Sequence, residues 1–413
     1  MTRTWTLKIA VVLMAFGMTA CGGDDKKEET GNPDVLAEVA GGDLMAEEVA
    51  EDLSVSEDVE PDLGEPAEPF SFATYNTGLA LNYVDYAAER YAAVLDALGT
   101  VEADVLCLQE VWEVEHVDGI IAGLAEAYPH AFYADTTVEE TGTPPACTDE
   151  ETAPLLACVE DNCLEAEDLT GCVMDKCAAQ FAQVSNDCIT CLAANLTKPV
   201  DEIFATCVLG GGSLSYEGRN GLILLSKREL DVTDHLVLDS FLVQRAVLYA
   251  TFKDDPTGTH TFCTHLATST EAPYNGSFEG YKEEQAAQIA AMLTFVDDKA
   301  GDGAVVLMGD MNTAPAIGAD LAAEWEENFD LFGAADLVAP FVENAGPVCS
   351  WCISNTLVGE GSTNRIIDHV FLRNVDQIYL KAERILDQLV TVEVEGTPME
   401  MNLSDHFGVW VHN

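Results

Sequence analysis

Val305-Val306-Leu307-Met308-Gly309-Asp310-Met311-Asn312-Thr313 is a run of four apolar residues that passes directly into a glycine, a carboxylate and an amide. A short continuous apolar run that stops at a glycine reads as a buried strand. The polar groups then stand at the strand's end, where a sheet can aim them rigidly into a cleft. By itself a Gly-Asp-x-Asn string is a common turn. It gains meaning because the same construction recurs along the chain.

Ala73-Thr74-Tyr75-Asn76 closes an apolar stretch with an amide, and Asp104-Val105-Leu106-Cys107-Leu108-Gln109-Glu110-Val111-Trp112 closes another with a carboxylate. His265 follows the run 260–264. Arg365-Ile366-Ile367-Asp368-His369-Val370-Phe371 comes next, and Leu403-Ser404-Asp405-His406 stands close to the C-terminus. Asn76, Glu110, Asp310, Asn312 and Asp405 offer hard oxygen ligands, a set that suits Mg²⁺ or Mn²⁺ better than zinc. His265 and His406 offer hydrogen-bonding groups for a phosphate, and Asp368 is placed to fix the tautomer of His406. A metal, an activated water and donors for a pentavalent transition state make up a phosphoesterase.

The short apolar or alternating runs 71–76, 104–109, 221–226, 246–252, 260–265, 304–309, 367–372 and 407–411 read as strands. Two amphipathic helices are expected over 83–98 and 281–297, where Val94, Leu95 and Leu98, and Ile289, Met292 and Val296, fall on single faces. The order of these elements implies an α+β domain with helices covering sheet layers.

With these motifs in this order, residues 70–413, apart from a cysteine-rich segment, resemble the endonuclease/exonuclease/phosphatase superfamily, which includes deoxyribonuclease I-like enzymes and neutral sphingomyelinases. The resemblance implies a four-layered α/β sandwich of two packed mixed sheets flanked by helices. It implies that Asn76, Glu110 and Asp405 serve the metal, that Asp310 and Asn312 prepare water and phosphate, and that His265 and His406 stabilise charge, with Asp368 paired to His406. Leu108-Gln109-Glu110-Val111-Trp112, 221–227, Arg245-Ala246-Val247-Leu248 and 349–357 look most like the sphingomyelinase-like members. His369 departs from the pattern, where tyrosine is common. The implied substrate is a phosphodiester, either a phospholipid head group or DNA. Tyr216, Arg219 and Asn220 precede a strand and read as packing and turn residues or as substrate contacts. A non-catalytic binding lipoprotein on the same scaffold is the alternative.

Residues 142–212 interrupt the pattern with eight of the chain's thirteen cysteines. An even count in an exported chain argues for disulfides. Cys158/Cys163 and Cys172/Cys177 flank Gly171 with matching spacings, so a helical hairpin with nested bonds Cys158–Cys177 and Cys163–Cys172 is expected. Cys188-Ile189-Thr190-Cys191 raises a rival zinc reading, without a histidine in the segment. Cys107 and Cys263 read as buried small hydrophobes, and Cys349 and Cys352 as a loop bridge. The insert would cap the active site or bind a partner.

Arg3, Lys8, the short apolar run 9–18 and Thr19-Ala20-Cys21-Gly22 have the form of a lipoprotein signal segment over 1–21, with Cys21 the lipidated residue and Met18 in the usual leucine position. The expected location is the cell envelope, at the outer membrane, with the lipid as the membrane partner. Residues 22–69 read as an acidic disordered linker. The net charge of −55 removes any diffuse attraction to phosphate backbones, so no stable nucleic-acid complex is expected.

Overall fold

In a computed structural model, the protein is described over residues 70–413, except 82, 139–143, 165, 167–168, 197, 271, 345, 347, 360 and 376–380. The signal segment with Cys21 and the linker 22–69 lie outside the described residues.

The chain runs β1 (Phe72–Asn76), α1 (Ala87–Leu98), β2 (Val105–Gln109), α2 (Val114–Gly123) and β3 (His130–Phe132). The insert follows as α3 (Asp149–Asn162), α4 (Leu169–Lys176), α5 (Ala178–Phe181), α6 (Asn186–Ala194) and α7 (Val200–Leu209), and a 3₁₀ turn, Ser215–Gly218, comes after it. Next come β4 (Ile223–Ser226), β5 (Leu230–Val237), β6 (Ala246–Phe252), β7 (His260–His265), α8 (Tyr281–Ala300) and β8 (Val305–Asp310). The remainder is α9 (Glu326–Ala334), α10 (Pro340–Asn344), β9 (Asp368–Arg373), β10 (Lys381–Ile385), β11 (Leu389–Val394), β12 (Thr397–Asn402) and β13 (Gly408–His412).

One sheet has the order β10-β13-β1-β2-β4-β3, the other β5-β6-β7-β8-β9, and β11 and β12 form a separate hairpin. Strand alternation assigns each side chain to a layer. Val105 and Cys107 of β2 face Val306 and Met308 of β8 in the core between the sheets. Leu106 and Leu108 point outward against Val94 and Leu98 of α1 and Val117 and Ile120 of α2. Val305 and Leu307 meet Ile289, Met292 and Val296 of α8 on the opposite outer face. The expected four-layer sandwich is the fold.

Two parallel pairs fix the geometry that matters. β1 and β2 align Asn76 with Gln109, and β7 and β8 align His265 with Asp310. The antiparallel pairing of β8 with β9 sets Asp310 opposite Asp368. The polar residue at each of these strand ends therefore arrives at the same edge of the sandwich.

Within the insert the nested pair Cys158–Cys177 and Cys163–Cys172 is present, and Cys147–Cys188 and Cys191–Cys207 complete the set. Cys188 and Cys191 are thus in separate disulfides, which leaves no thiolates for the zinc reading. The insert consists of several short helices packed on a small core of their own, including Leu155, Val159, Ile189 and Phe204. Cys349–Cys352 bridges its loop as expected. Cys107 and Cys263 correct the sequence reading: they are buried, but they form a disulfide that joins β2 of one sheet to β7 of the other. Six disulfides pair every cysteine except Cys21 and place the folded domain in an oxidising compartment. No described helix is long and apolar enough to cross a membrane.

His369 sits fully buried in the outer layer beside Phe329 and Phe371, with Nε2 3.1 Å from the carbonyl of Thr313. Burial pushes its pKa down to about 4, against the smaller upward pull of that hydrogen bond. The folded protein therefore resists a proton that the unfolded chain accepts below about pH 6.5, so this residue costs stability as pH falls from there towards 4. The penalty at pH 5 is about 2 kcal/mol relative to pH 7. Urea unfolding of wild type and His369→Gln at both pH values should show the variant losing about that much less on acidification; parallel losses would contradict the assignment.

Candidate active site

Asp310 occupies the middle of the polar cluster. It ends β8 and is almost completely buried. Its Oδ1 accepts from the backbone N–H of Asn312 at 2.9 Å. Its Oδ2 accepts from Asn76 Nδ2 at 3.0 Å and lies 3.4 Å from His265 Nε2 and 3.7 Å from His406 Nε2. The same Asn76 amide reaches Glu110 Oε1 at 3.1 Å. One amide at the end of β1 thus bridges the carboxylates that follow β2 and end β8.

His406 is held by Asp368, whose Oδ2 lies 2.9 Å from Nδ1, so Nε2 is turned towards Asp310 and Asn76. Asn312 Nδ2 lies 3.1 Å from His265 Nε2 and also donates to the carbonyl of Leu266. Asp405 Oδ1 accepts from Ser404 Oγ at 3.0 Å. Gly78 permits this loop to approach β1: its φ is +55°, and a Cβ there would stand 2.6 Å from Asp405 Oδ1. Glu110 and Asn312 themselves have positive φ, 60° and 50°. Left-handed backbone at non-glycine residues costs energy and concentrates where function needs a particular aim.

The electrostatics separate these groups into roles. Burial raises the Asp310 carboxyl to about 7, and the neighbouring Asp368 charge adds to the rise. Glu110 is raised by burial and then by the charge of Asp405. For His406 burial pulls the pKa down, but the charges of Asp368 and Asp310 outweigh it and hold the imidazole well above its usual value. His265 is driven well below it by burial, with Arg245 and His406 adding repulsion. The two imidazoles beside the same carboxylate are therefore pushed in opposite directions, His406 towards its protonated form and His265 away from it. One donor atom each from Asp310, Asp368 and His406 fall within 4.8 Å of one another, a cluster compatible with metal binding.

Two arginines escaped the sequence reading as site residues. Arg245 is buried, and Glu110 and Asp310 are the first charges that offset the downward push of burial on it. Its position just before β6 gave no signal beyond a motif likeness. Arg90 is fully buried on α1 and donates to the carbonyls of Asp85, Thr77, Gly78 and Leu403. It ties the loop after Asn76 to the loop before Asp405. α8 does the same for the other sheet: Gln285 Nε2 donates to the carbonyls of Ala267, Met311 and Asn312, at 2.7, 3.2 and 3.0 Å. Asn220 supports a turn, donating to the carbonyl of Ala134, and Arg219 pairs with Glu113 and Glu217.

The family model of the Endonuclease/Exonuclease/phosphatase family matches residues 73–406. The chain belongs to this family. Its fold is shared with SmcL (12% identity, 83% of this chain and 99% of the other, TM-score 0.51). It is shared equally with a variant of beta toxin from Staphylococcus aureus with bound magnesium ions (12% identity, 83% and 99% covered, TM-score 0.51). Sphingomyelinase C from Streptomyces griseocarneus is similar at 16% identity, 83% and 98% covered, TM-score 0.50. No curated protein matches by sequence. Family members hydrolyse phosphoester bonds, and this endonuclease/exonuclease/phosphatase chain carries its buried acid–histidine cluster at the sheet edge described above.

Proposed function

We propose that the protein is an exported, divalent-metal-dependent phosphodiesterase. The observation that carries this reading is the placing of Asp310 between His406 and His265, with Asn76 bonded to both Asp310 and Glu110. The donor set fits a hard cation: Glu110 is raised by burial and by Asp405, an unfavourable pairing of like charges that a bound cation relieves. Glu110, Asn76 and Asp405 would hold Mg²⁺ or Mn²⁺. The ion, when bound, supplies Lewis acidity and a more acidic water.

The chain's own groups do the rest. Asp310, fixed by Asn76 and Asn312, accepts the proton of the attacking water. His406 keeps its proton at Nε2 through Asp368 and donates it to a phosphoryl or leaving oxygen. His265 and Asn312 orient the phosphate. The substrate is a phosphodiester, of the phospholipid head-group type or nucleic acid. A lipid anchor on Cys21 would hold the enzyme at the outer membrane, in keeping with Cys21 being the cysteine that the six disulfides leave out. Hydrolysis of bis(p-nitrophenyl) phosphate tests the reading: turnover with Mg²⁺ or Mn²⁺ that EDTA abolishes is expected, and no turnover with either ion would refute it.

A further inference from the structure

The cysteine-rich insert has no role in the chemistry above, yet it adjoins one wall of the site. Trp112 follows Glu110 by two residues, and its ring lies 6.4 Å from the imidazole of His265. Tyr216 stacks flat on Trp112, with centroids 4.6 Å apart and planes 5° from parallel. Both are nine-tenths buried or more. A Cβ on Gly221, whose φ is +68°, would meet Cε3 and Cζ3 of Trp112 at 2.7 and 2.8 Å, so that edge of the indole is pinned and the edge bearing Nε1 points the other way.

Tyr216 reaches this position through an unfavourable backbone. It and Glu217 have φ values of 53° and 57°, two left-handed non-glycine residues in succession. Such strain persists only where the surroundings over-determine it, and it gathers at ligand clamps. The insert provides much of that constraint. α6 packs against the 3₁₀ turn that carries Tyr216, and Ala194 of α6 shares an apolar cluster with Phe241 and Leu242. Ser215 N–H donates to the carbonyl of Leu242 at 2.6 Å. Cys191–Cys207 ties α6 to α7, and Asn195 Nδ2 donates to the carbonyl of Gly212 at 3.3 Å, just ahead of the turn.

The wall also carries unused polar atoms. Trp112 Nε1, Tyr216 Oη, Arg245 Nη1 and His265 Nδ1 are buried and have no hydrogen-bond partner among the described residues. Burial holds the Tyr216 hydroxyl well above its usual pKa, so it keeps its proton to donate. Buried donors without partners are costly, and those of Trp112, Tyr216 and Arg245 call for acceptor oxygens from a ligand.

We propose that Trp112 and Tyr216 form a subsite for the alcohol half of the ester, that this alcohol carries acceptor oxygens of its own, as a polyol or sugar does, and that the disulfide-bonded insert holds the subsite in shape. The inference rests on the phosphodiesterase reading and narrows it: a quaternary-ammonium alcohol offers these donors nothing to accept.

Calorimetric titration with glycerol 3-phosphate and with phosphocholine, in the presence of Mg²⁺, tests this without turnover. Failure of the phosphodiesterase reading shows separately, as no hydrolysis of bis(p-nitrophenyl) phosphate. Wild type should bind glycerol 3-phosphate at least about fivefold more tightly, the worth of one good hydrogen bond. Tyr216→Phe, which keeps the stack and removes one donor, should bring the two affinities measurably closer. The double variant Cys191→Ser/Cys207→Ser, checked for an intact fold by its melting curve, should move the ratio the same way. Equal affinities in wild type, or an unchanged ratio in Tyr216→Phe, would overturn the proposal.

Discussion

His406→Ala should lower kcat on a phosphodiester by roughly 10²–10⁴-fold while leaving KM within a few-fold of wild type. The reason is the geometry of its two nitrogens. Nδ1 is engaged by Asp368 at 2.9 Å, and Nε2 faces Asp310 and Asn76. Burial works against the imidazolium, and two carboxylates overcome it. A proton kept at such a cost is of use where negative charge develops, on the transferring phosphoryl group, and contributes little to holding the ground state. Asp310→Ala should fall in the same range. The double variant should cost about as much as either single change, because the two act on one proton inventory. Additive losses would mean that they act independently. A raised KM with unchanged kcat would mean that His406 only binds substrate.

Replacing the Cys107–Cys263 disulfide should have the largest effect on stability. The bond closes a loop across a sequence separation of 156, and it joins β2 to β7 through the middle of the inter-sheet core. Loop-closure entropy alone assigns about 5 kcal/mol to a loop of that length, and typical native disulfides give about 2–4 kcal/mol. Cys107→Ala/Cys263→Ala should therefore lose about 3–5 kcal/mol in urea unfolding, with a small packing loss included. The effect should extend to activity. β2 leads directly into Glu110 and β7 ends in His265, so a looser junction lets two site residues drift apart. A loss below about 1 kcal/mol would show that core packing fixes the sheets without the bond.

The site was legible in the sequence because each chemical group closes an apolar strand. Asn76, Glu110, His265 and Asp310 stand at or just beyond the ends of β1, β2, β7 and β8, and parallel register brings those ends to one edge. The nested bonds of the insert were legible for a different reason: Cys158/Cys163 and Cys172/Cys177 mirror each other about a turn. The other two bonds there, Cys147–Cys188 and Cys191–Cys207, join helices whose packing no local spacing encodes.

What stayed hidden depends on contacts between layers. The half-cystines Cys107 and Cys263 look like any small apolar residues, because their pairing exists only once the two sheets are stacked. Arg90 falls on a helix where a charged residue normally marks the solvent face; here four carbonyls from neighbouring loops compensate its burial. Arg245 carries no spacing signal, and its meaning comes from the buried acids around it. β5 was missed because it has no buried residue, and the hairpin of β11 and β12 because half of each strand is exposed.

Oxygen ligands from separate strands are expected to share one cation, and Mn²⁺ binding followed by electron paramagnetic resonance measures that without substrate or turnover. Saturable binding by the wild-type protein, lost in Glu110→Gln and retained in a surface control such as Glu160→Gln, is the predicted result. Mn²⁺ binding that is absent from the wild type, or that survives Glu110→Gln unchanged, would contradict it.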